Sequence, residues 1–367
     1  MKIKLIVRSL IERHTILERL VYRGLHEITK IRKALLGIRQ IDFDTSKAGT
    51  RLLLIAPAEK SIPVEGWGAV ELVIQNQLAY FRKEGFSTNL LNSHNLIDWL
   101  RVFRQKPQVV ICHYDVFAPR ARAFAKLFRS KLVAITHYAY AQQPDKWDQD
   151  FQRLASHLSQ VDAFVALNPA IARVFENLNP LLKCAVIPNG VPVDAFRKHR
   201  RSTGVICLGK VEPRKAQVAI ASHLTGVEDI VFVGDVCDPE FATLNDAQKD
   251  MFVGPWDRRQ VEHNLGEYST LVLLSDGEAD ALVLYEAQSA GLQIVVNQLS
   301  IGSQDHTLPW VIVTEPELRD IRRVPNLFED LAPEKRELIM SHAKTHYTSN
   351  VSNAKYKQLV LDLLSDG

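Results

Sequence analysis

The sequence predicts an α/β protein built from two units, each a parallel sheet covered on both faces, with a basic amphipathic helical segment ahead of them. Three observations carry this. At 367 residues the chain is too long for one ordinary core. From Arg51 onward, short apolar runs without polar alternation take turns with helix-period stretches, which is the pattern of strands buried on both faces of a parallel sheet. That alternation pauses at VIPNGVPVDAFRKHRRSTG (186–204), a Pro-, Gly- and charge-rich stretch that reads as a hinge near 190–203.

Taken in order, residues 1–45 form the extension. Ile3, Val7, Leu10, Leu17, Val21, Ile28, Ile31, Leu35 and Ile38 fall on heptad-like spacing, so the stretch reads as one amphipathic helix with a break at Gly24. Residues 1–40 hold ten Lys and Arg against three Glu, a net of +7, which leaves −4 for the remaining 327 residues. A basic helix of this kind suits an anionic membrane surface. A homodimer seam, in which His14 and Gly24 fit poorly, and packing on its own domain both stay open. The basic character belongs to this segment and not to the body, so no nucleic-acid partner is expected.

The first unit, 46–195, opens with RLLLIAPA (51–58) and a helix-period segment from Ala69 to Glu84. PQVVICH (107–113), KLVAITH (131–137) and DAFVALN (162–168) follow, each leading into a helical stretch; Pro169 stands at a helix start. The second unit, 196–345, repeats the pattern with GVICLGK, DIVFVGD, STLVLLSD and LQIVVNQ. A last helix over about 346–367 can return to the first unit. In such sheets ligands collect at the carboxyl ends of the strands, so function is expected in the cleft between the units.

The composition, 46% hydrophobic and 24% charged, is that of a soluble globular protein, and no run of eighteen apolar residues marks a membrane span. The start, MKIKLIVRSLIERH, is too charged for a secretory signal. Four widely spaced cysteines, Cys112, Cys184, Cys207 and Cys237, lack metal-ligand spacing and read as buried reduced thiols. Together these point to the cytoplasm, with the extension allowing peripheral attachment to the inner face of a membrane.

Two constellations in the second unit carry chemistry. In GKVEPRK (209–215), Gly209 turns the backbone at a strand end, and Lys210 and Lys215 flank that turn beside a helix start. Lysines there suit a diphosphate, although a solvated basic loop fits the pattern as well. In SDGEADALVLYEAQSAG (275–291), Glu278 lies in the loop after STLVLL and Glu286 lies two turns into a helix that ends at Gly291. A carboxylate taking two vicinal hydroxyls is the usual protein answer to a sugar diol. Two exposed helix glutamates are the bland alternative, but a charge between Tyr285 and Ala287 in an otherwise apolar helix is costly unless used. Asp235 and Asp238 read as turn residues, and no pair of acidic residues suggests a metal.

VIPNGVPVDAF, GKVEPRK, VFVGD, FVGPWDRRQVEHNL and EADALVLYEAQSAG, in this order and spacing, resemble the successive motifs of the GT4 family of retaining glycosyltransferases, over roughly residues 51–345. The resemblance implies a GT-B fold of two Rossmann-like domains facing across a cleft. It implies a nucleotide-diphosphate sugar held mainly by the second domain, and a glycan, glycolipid or lipid-linked acceptor held by the first. Lys210 and Lys215 take the family's diphosphate-holding positions. Glu278 and Glu286 fall on the two glutamates of its E-x7-E motif, the first near the sugar and its reacting face, the second on the ribose. Asp280, Ala281 and Leu282 share the sugar-side loop. EGWGAVE (65–71) matches the glycine-rich turn, with Gly66 and Gly68 approaching phosphates or acceptor, and His137 stands where the family often has a histidine beside the sugar. The catalytic set implied is Glu278, His137 and Lys215, with no cofactor or metal and front-face attack by the acceptor.

The family's loop usually reads E-G-F-G, whereas here it is Glu278-Ala279-Asp280-Ala281. Alanine limits positive φ, and Asp280 is expected to bring a second carboxylate into the sugar pocket. Lys210 in place of arginine keeps charge but loses the bidentate fork. His113 is read as structural. Two rivals remain at this level: a GT-B-fold epimerase or phosphorylase acting on a sugar nucleotide or glucan, and a degenerate binding subunit.

Overall fold

A computed structural model describes residues 37–45, 49–64, 68–197, 199, 203–226 and 228–366. The proposed amphipathic stretch up to residue 36, and Gly66, lie outside the described residues. Within the extension assigned by sequence, however, β1 (Arg39–Asp42) is a strand, hydrogen-bonded antiparallel to the first sheet. Its place is fixed by Arg39, whose guanidinium donates from Nε and Nη2 to the two Asp98 oxygens at 3.0 Å each. This pairing lies 59 residues away and leaves no trace in a helical periodicity.

The first unit continues with β2 (Arg51–Ile55), α1 (Ala69–Lys83), β3 (Ser87–Ser93), α2 (Leu96–Phe103), β4 (Val109–Cys112), α3 (Ala118–Phe128), β5 (Lys131–Ile135), α4 (Gln149–Leu158), β6 (Ala163–Ala166), α5 (Pro169–Leu178) and β7 (Cys184–Val186). The sheet order is β1-β3-β2-β4-β5-β6-β7, with all but β1 parallel. Leu52, Leu53, Leu54 and Ile55 are completely buried, as are Val109, Val110 and Ile111, because helices cover both faces. The chain turns back on itself between β2 and β4, a switch point that opens a crevice at the strands' carboxyl ends.

The second unit holds β8 (Val205–Leu208), α6 (Gln217–Ala221), β9 (Ile230–Val233), α7 (Asp246–Lys249), β10 (Phe252–Gly254), α8 (Arg258–Asn264), β11 (Thr270–Leu273), α9 (Leu282–Ser289), β12 (Gln293–Asn297) and β13 (Val311–Thr314). Its sheet is entirely parallel in the order β10-β9-β8-β11-β12-β13, with the switch point between β8 and β11. α10 (Pro333–His346) covers this sheet, and α11 (Ser349–Ser365) crosses to the first unit. There Tyr356, Leu359, Val360 and Leu363 join the first core, and Lys357 pairs with Glu84 of the loop after α1 at 2.7 Å.

Two local expectations change. The helix expected from AQVAIASHL is only five residues long. The Ser222 hydroxyl and the His223 ring both bond the Ala219 carbonyl at 2.8 Å, competing for main-chain acceptors just where the helix stops. All four thiols are free, and Cys112 and Cys207 are buried, but Cys237 is exposed in the turn after β9 and Cys184 is half-buried on edge strand β7. No helix among the described residues is long and apolar enough to cross a membrane.

Candidate functional site

The two switch points face one another across a cleft with a cavity of about 410 Å³. His137, Gly68, Gly209, Lys210, Lys215, Glu278, Asp280, Ala281, Leu282 and Glu286, ten of the residues singled out by sequence, line it. Residues as far apart in sequence as Gly68 and Glu286 therefore line one cavity because the loops and first helical turns after the strands' carboxyl ends converge there.

The cationic wall comes from the turn after β8. Gly209 has φ +136°, and a Cβ there would lie 2.6 Å from the Lys215 Nζ, so the ammonium rests against a backbone that only glycine leaves bare. Burial lowers the Lys215 pKa, with Glu278 opposing that shift. Lys210 is exposed at the mouth of the cavity. Between them stands Arg214, which the sequence reading passed over. Its Nη1 lies 2.8 Å from Glu278 Oε1 and its Nη2 2.6 Å from Glu212 Oε1. Burial pulls the Arg214 pKa down, but the two carboxylates outweigh it and the pKa is raised. The signal was present in the motif as a third cation, but nothing local said that it points at Glu278.

Glu278 follows β11, its carboxylate only 13% exposed, and it also accepts a hydrogen bond from the Ser275 hydroxyl at 3.2 Å. Glu286 is 6% exposed in the second turn of α9, and the Arg258 guanidinium holds it: Nη1 to Glu286 Oε1, and Nε to Glu262 Oε1 at 2.7 Å, with the Phe196 ring 5.3 Å beneath. The charge that looked costly in an apolar helix is thus ion-paired at the cavity wall. Arg258 was the second cation missed by sequence. Trp256 and Asp257 continue this wall, and Ala281 caps α9 so that its first turn, including Leu282, opens on the cavity.

Asp280 does not behave as expected. It lines the cavity, but both carboxylate oxygens are engaged elsewhere: Tyr285 donates to them at 2.7 and 2.8 Å, the Asn189 amide at 2.7 Å, and the Ser303 amide at 3.2 Å. Burial lifts its pKa to about 7. Asp280 fastens the hinge residue Asn189 to the second unit and is not free to face a sugar.

From the first unit, Gly68 precedes α1 with extended backbone, and a Cβ there would meet Val64 at 2.6 Å. His137 lies two residues past the end of β5; burial holds its pKa down at about 4, so the ring is neutral at pH 7. His113, read as structural, lies next to it, with Nδ1 3.4 Å from His137 Nε2. The second unit's loop is stitched to the first at this point. Asn168 donates to the Ala279 carbonyl at 2.7 Å, Gln143 to the Asp276 carbonyl at 2.8 Å, and Gln142 to the Leu299 carbonyl at 3.1 Å. Gly277 fits under Tyr140 and the Ala139 carbonyl only because it has no Cβ, which would lie 2.7 and 2.9 Å from them. Among the described residues no three His, Cys, Asp or Glu side chains converge as a metal-ligand set.

Two cations close to two carboxylates, a half-buried ammonium and a helix start around one cavity can receive a phosphorylated, polyhydroxylated ligand. Residues 45–195 match the model of Glycosyltransferase Family 4. No curated relative matches the chain by sequence alone. Among solved structures, the chain is similar to sucrose-phosphate synthase from Thermosynechococcus elongatus, at 12% identity and TM-score 0.69, covering 87% of this chain and 100% of that one. Anabaena Alr3699/HepE in complex with UDP-glucose is 13% identical with TM-score 0.65, covering 87% and 100%. AviGT4, a glycosyltransferase involved in avilamycin A biosynthesis, is 14% identical with TM-score 0.61, covering 87% and 99%. At these identities the likeness is one of fold.

Proposed function

We propose that this chain, whose residues 45–195 match the model of Glycosyltransferase Family 4 and whose fold is like that of the solved glycosyltransferase structures, is a retaining glycosyltransferase that moves a sugar from a nucleotide-diphosphate sugar to a hydroxyl of a glycan, glycolipid or lipid-linked acceptor. The single observation that carries the reading is the convergence of Lys215, Lys210, Glu278 and Glu286 on one cavity at the second unit's switch point. UDP-glucose, bound in the similar Anabaena structure, marks the class of sugar donor.

In this reading Lys215 and Lys210 hold the diphosphate, and their charge grows in value as the leaving group becomes more negative. That cationic wall makes a metal unnecessary. Glu286 takes the ribose diol, with Arg258 fixing its carboxylate. Glu278, Ala281 and Leu282 border the sugar from below and His137 from the first unit. The acceptor hydroxyl attacks the anomeric carbon from the face the diphosphate leaves, and as the bond to the diphosphate breaks the hydroxyl proton passes to the departing phosphate oxygen. The acceptor enters over Gly68 and the first unit. Binding at an anionic membrane through residues 1–40 would bring a lipid-linked acceptor to this side; flotation with anionic vesicles that survives deletion of these residues would refute that part.

A thermal-shift and turnover screen against UDP-, GDP- and ADP-sugars tests the proposal, run with and without EDTA. Stabilisation by one nucleotide family, with turnover unaffected by chelation, is the expected result. Net inversion at the transferred anomeric carbon, seen by NMR, would overturn the retaining assignment. Loss of turnover on chelation, restored by Mg²⁺, would overturn the metal-free one.

A further inference from the structure

Behind His137 lies a polar pair that the transfer reaction as described leaves unused. His113 is 1% exposed and Gln77, on α1, is fully buried. The Gln77 amide oxygen lies 2.8 Å from His113 Nε2, and His113 Nδ1 lies 3.4 Å from His137 Nε2. The two rings are inclined by only 19° with centroids 5.7 Å apart; with the nitrogens at 3.4 Å, they meet edge to edge. Three buried or half-buried side chains, one on α1 and two just beyond the ends of β4 and β5, thus run in line to the cavity.

We propose that Gln77 and His113 are positioning residues that fix the ring tautomer of His137 and thereby present an unprotonated Nδ1 to the cavity. The inference rests on the reading that His137 borders the transferred sugar. A neutral imidazole has one N–H and one lone pair, so each contact in the line sets the next. Burial, followed by the repulsion of His137, lowers the His113 pKa well below the usual histidine value, and both rings are therefore neutral at pH 7. The Gln77 oxygen can only accept, so His113 carries its proton on Nε2. His113 Nδ1 is then a lone pair, and His137 must donate to it from Nε2–H. That leaves His137 Nδ1, which has no partner among the described residues, as a hydrogen-bond acceptor on a residue that lines the cavity. An acceptor there selects a ligand hydroxyl that donates, and it refuses a ligand oxygen that can only accept. The backbone next to it is held as well: Thr136 donates to Asp115 at 3.0 Å and accepts the Tyr138 amide at 3.2 Å. The opposite setting of the Gln77 amide would reverse every donor in the line, so the His137 tautomer reports which way it runs.

Protein labelled with ¹⁵N-histidine, observed through two-bond proton–nitrogen couplings, gives both tautomers without any activity measurement. Both rings are expected to be protonated at Nε2 in the wild type. Gln77→Leu should mix the tautomers and lower turnover by about tenfold, the worth of one misdirected hydrogen bond. Affinity for UDP should stay unchanged, because the nucleotide is held by the other domain. A His137 ring protonated at Nδ1 in the wild type overturns the proposal, and so does wild-type turnover in folded Gln77→Leu protein. The wild-type spectrum needs no variant, so the test stands even if Gln77→Leu fails to fold. Wild-type turnover in His137→Ala would instead remove His137 from the sugar and leave the tautomer result untouched, which keeps the two failures apart.

Discussion

Arg214 Nη1 sits 2.8 Å from Glu278 Oε1, so the glutamate at the mouth of the cleft is ion-paired before any ligand arrives. The same guanidinium reaches Glu212 at 2.6 Å and bonds the Gly277 carbonyl, tying the turn after β8 to the loop after β11. Arg214→Ala should therefore release Glu278 from its geometry and lower kcat/KM by about 1–3 kcal/mol, below the full cost of breaking a buried pair because the site is partly open to water. Arg214→Lys should recover part of the loss. Steady-state kinetics on the two variants decides, and unchanged kcat/KM in Arg214→Ala would confine the pair to a structural role.

Glu286→Gln keeps volume and removes charge. It should weaken nucleotide-sugar binding by about 1–3 kcal/mol, the typical worth of a charge-assisted hydrogen bond with its desolvation. It also leaves Arg258 facing Glu262 alone, so a small loss of stability accompanies it. Calorimetric titration with the nucleoside diphosphate is the measurement; equal affinity for wild type and variant removes Glu286 from the ribose.

The Lys215 ammonium rests against the bare backbone of Gly209, where a Cβ would lie 2.6 Å from it. Lys215→Ala should cut kcat by about a hundredfold or more and weaken binding of the free diphosphate, since the missing charge acts on the leaving group. Lys210→Arg, at the exposed rim, should be tolerated. Single-turnover rates separate the two effects, and a Lys215→Ala enzyme with normal turnover contradicts the role.

The histidine pair predicts an acid-side loss of stability. Both rings have folded-state pKa values below that of the unfolded chain, near 4 for His137. Below the unfolded value of about 6.5 the unfolded state binds more protons, so this contribution is complete above that pH and is lost as pH falls toward 4. Each histidine should add up to about 1.4 kcal/mol per pH unit to the slope. Urea denaturation of wild type and His137→Asn at pH 7 and pH 5 tests this; parallel losses in the two proteins would rule out the effect for His137.

Much was open to reading in the chain itself. Runs such as RLLLI and VVIC lack polar alternation because both faces of a parallel sheet are covered, and that fixed the two-unit α/β architecture and put function at strand ends. Glu278, Glu286, Lys210 and Lys215 were singled out because a strand-to-helix turn is the place where backbone amides and side chains can meet a ligand. Local pattern reports whether a residue is buried and on which element it rides. It does not report its partner.

The partners depended on strand order. β8 and β11 are neighbours in the sheet although the second begins 65 residues after the first, and only that adjacency brings Arg214 to Glu278. The same holds for Arg258 at Glu286, for the Gln77–His113–His137 line across α1, β4 and β5, and for Arg39 drawing a strand out of a segment whose periodicity reads as helix. Asp280 shows the reverse: it lines the cavity, yet donors from Tyr285, Asn189 and Ser303 occupy both of its carboxylate oxygens. Sequence by itself determined the elements and part of the cleft lining, Glu278, Glu286, Lys210 and Lys215 among it, because secondary structure follows local periodicity. Tertiary structure alone decided which charges meet there and which stay free, because hydrogen bonds and ion pairs act over about 3 Å and depend on contacts between residues far apart in the chain.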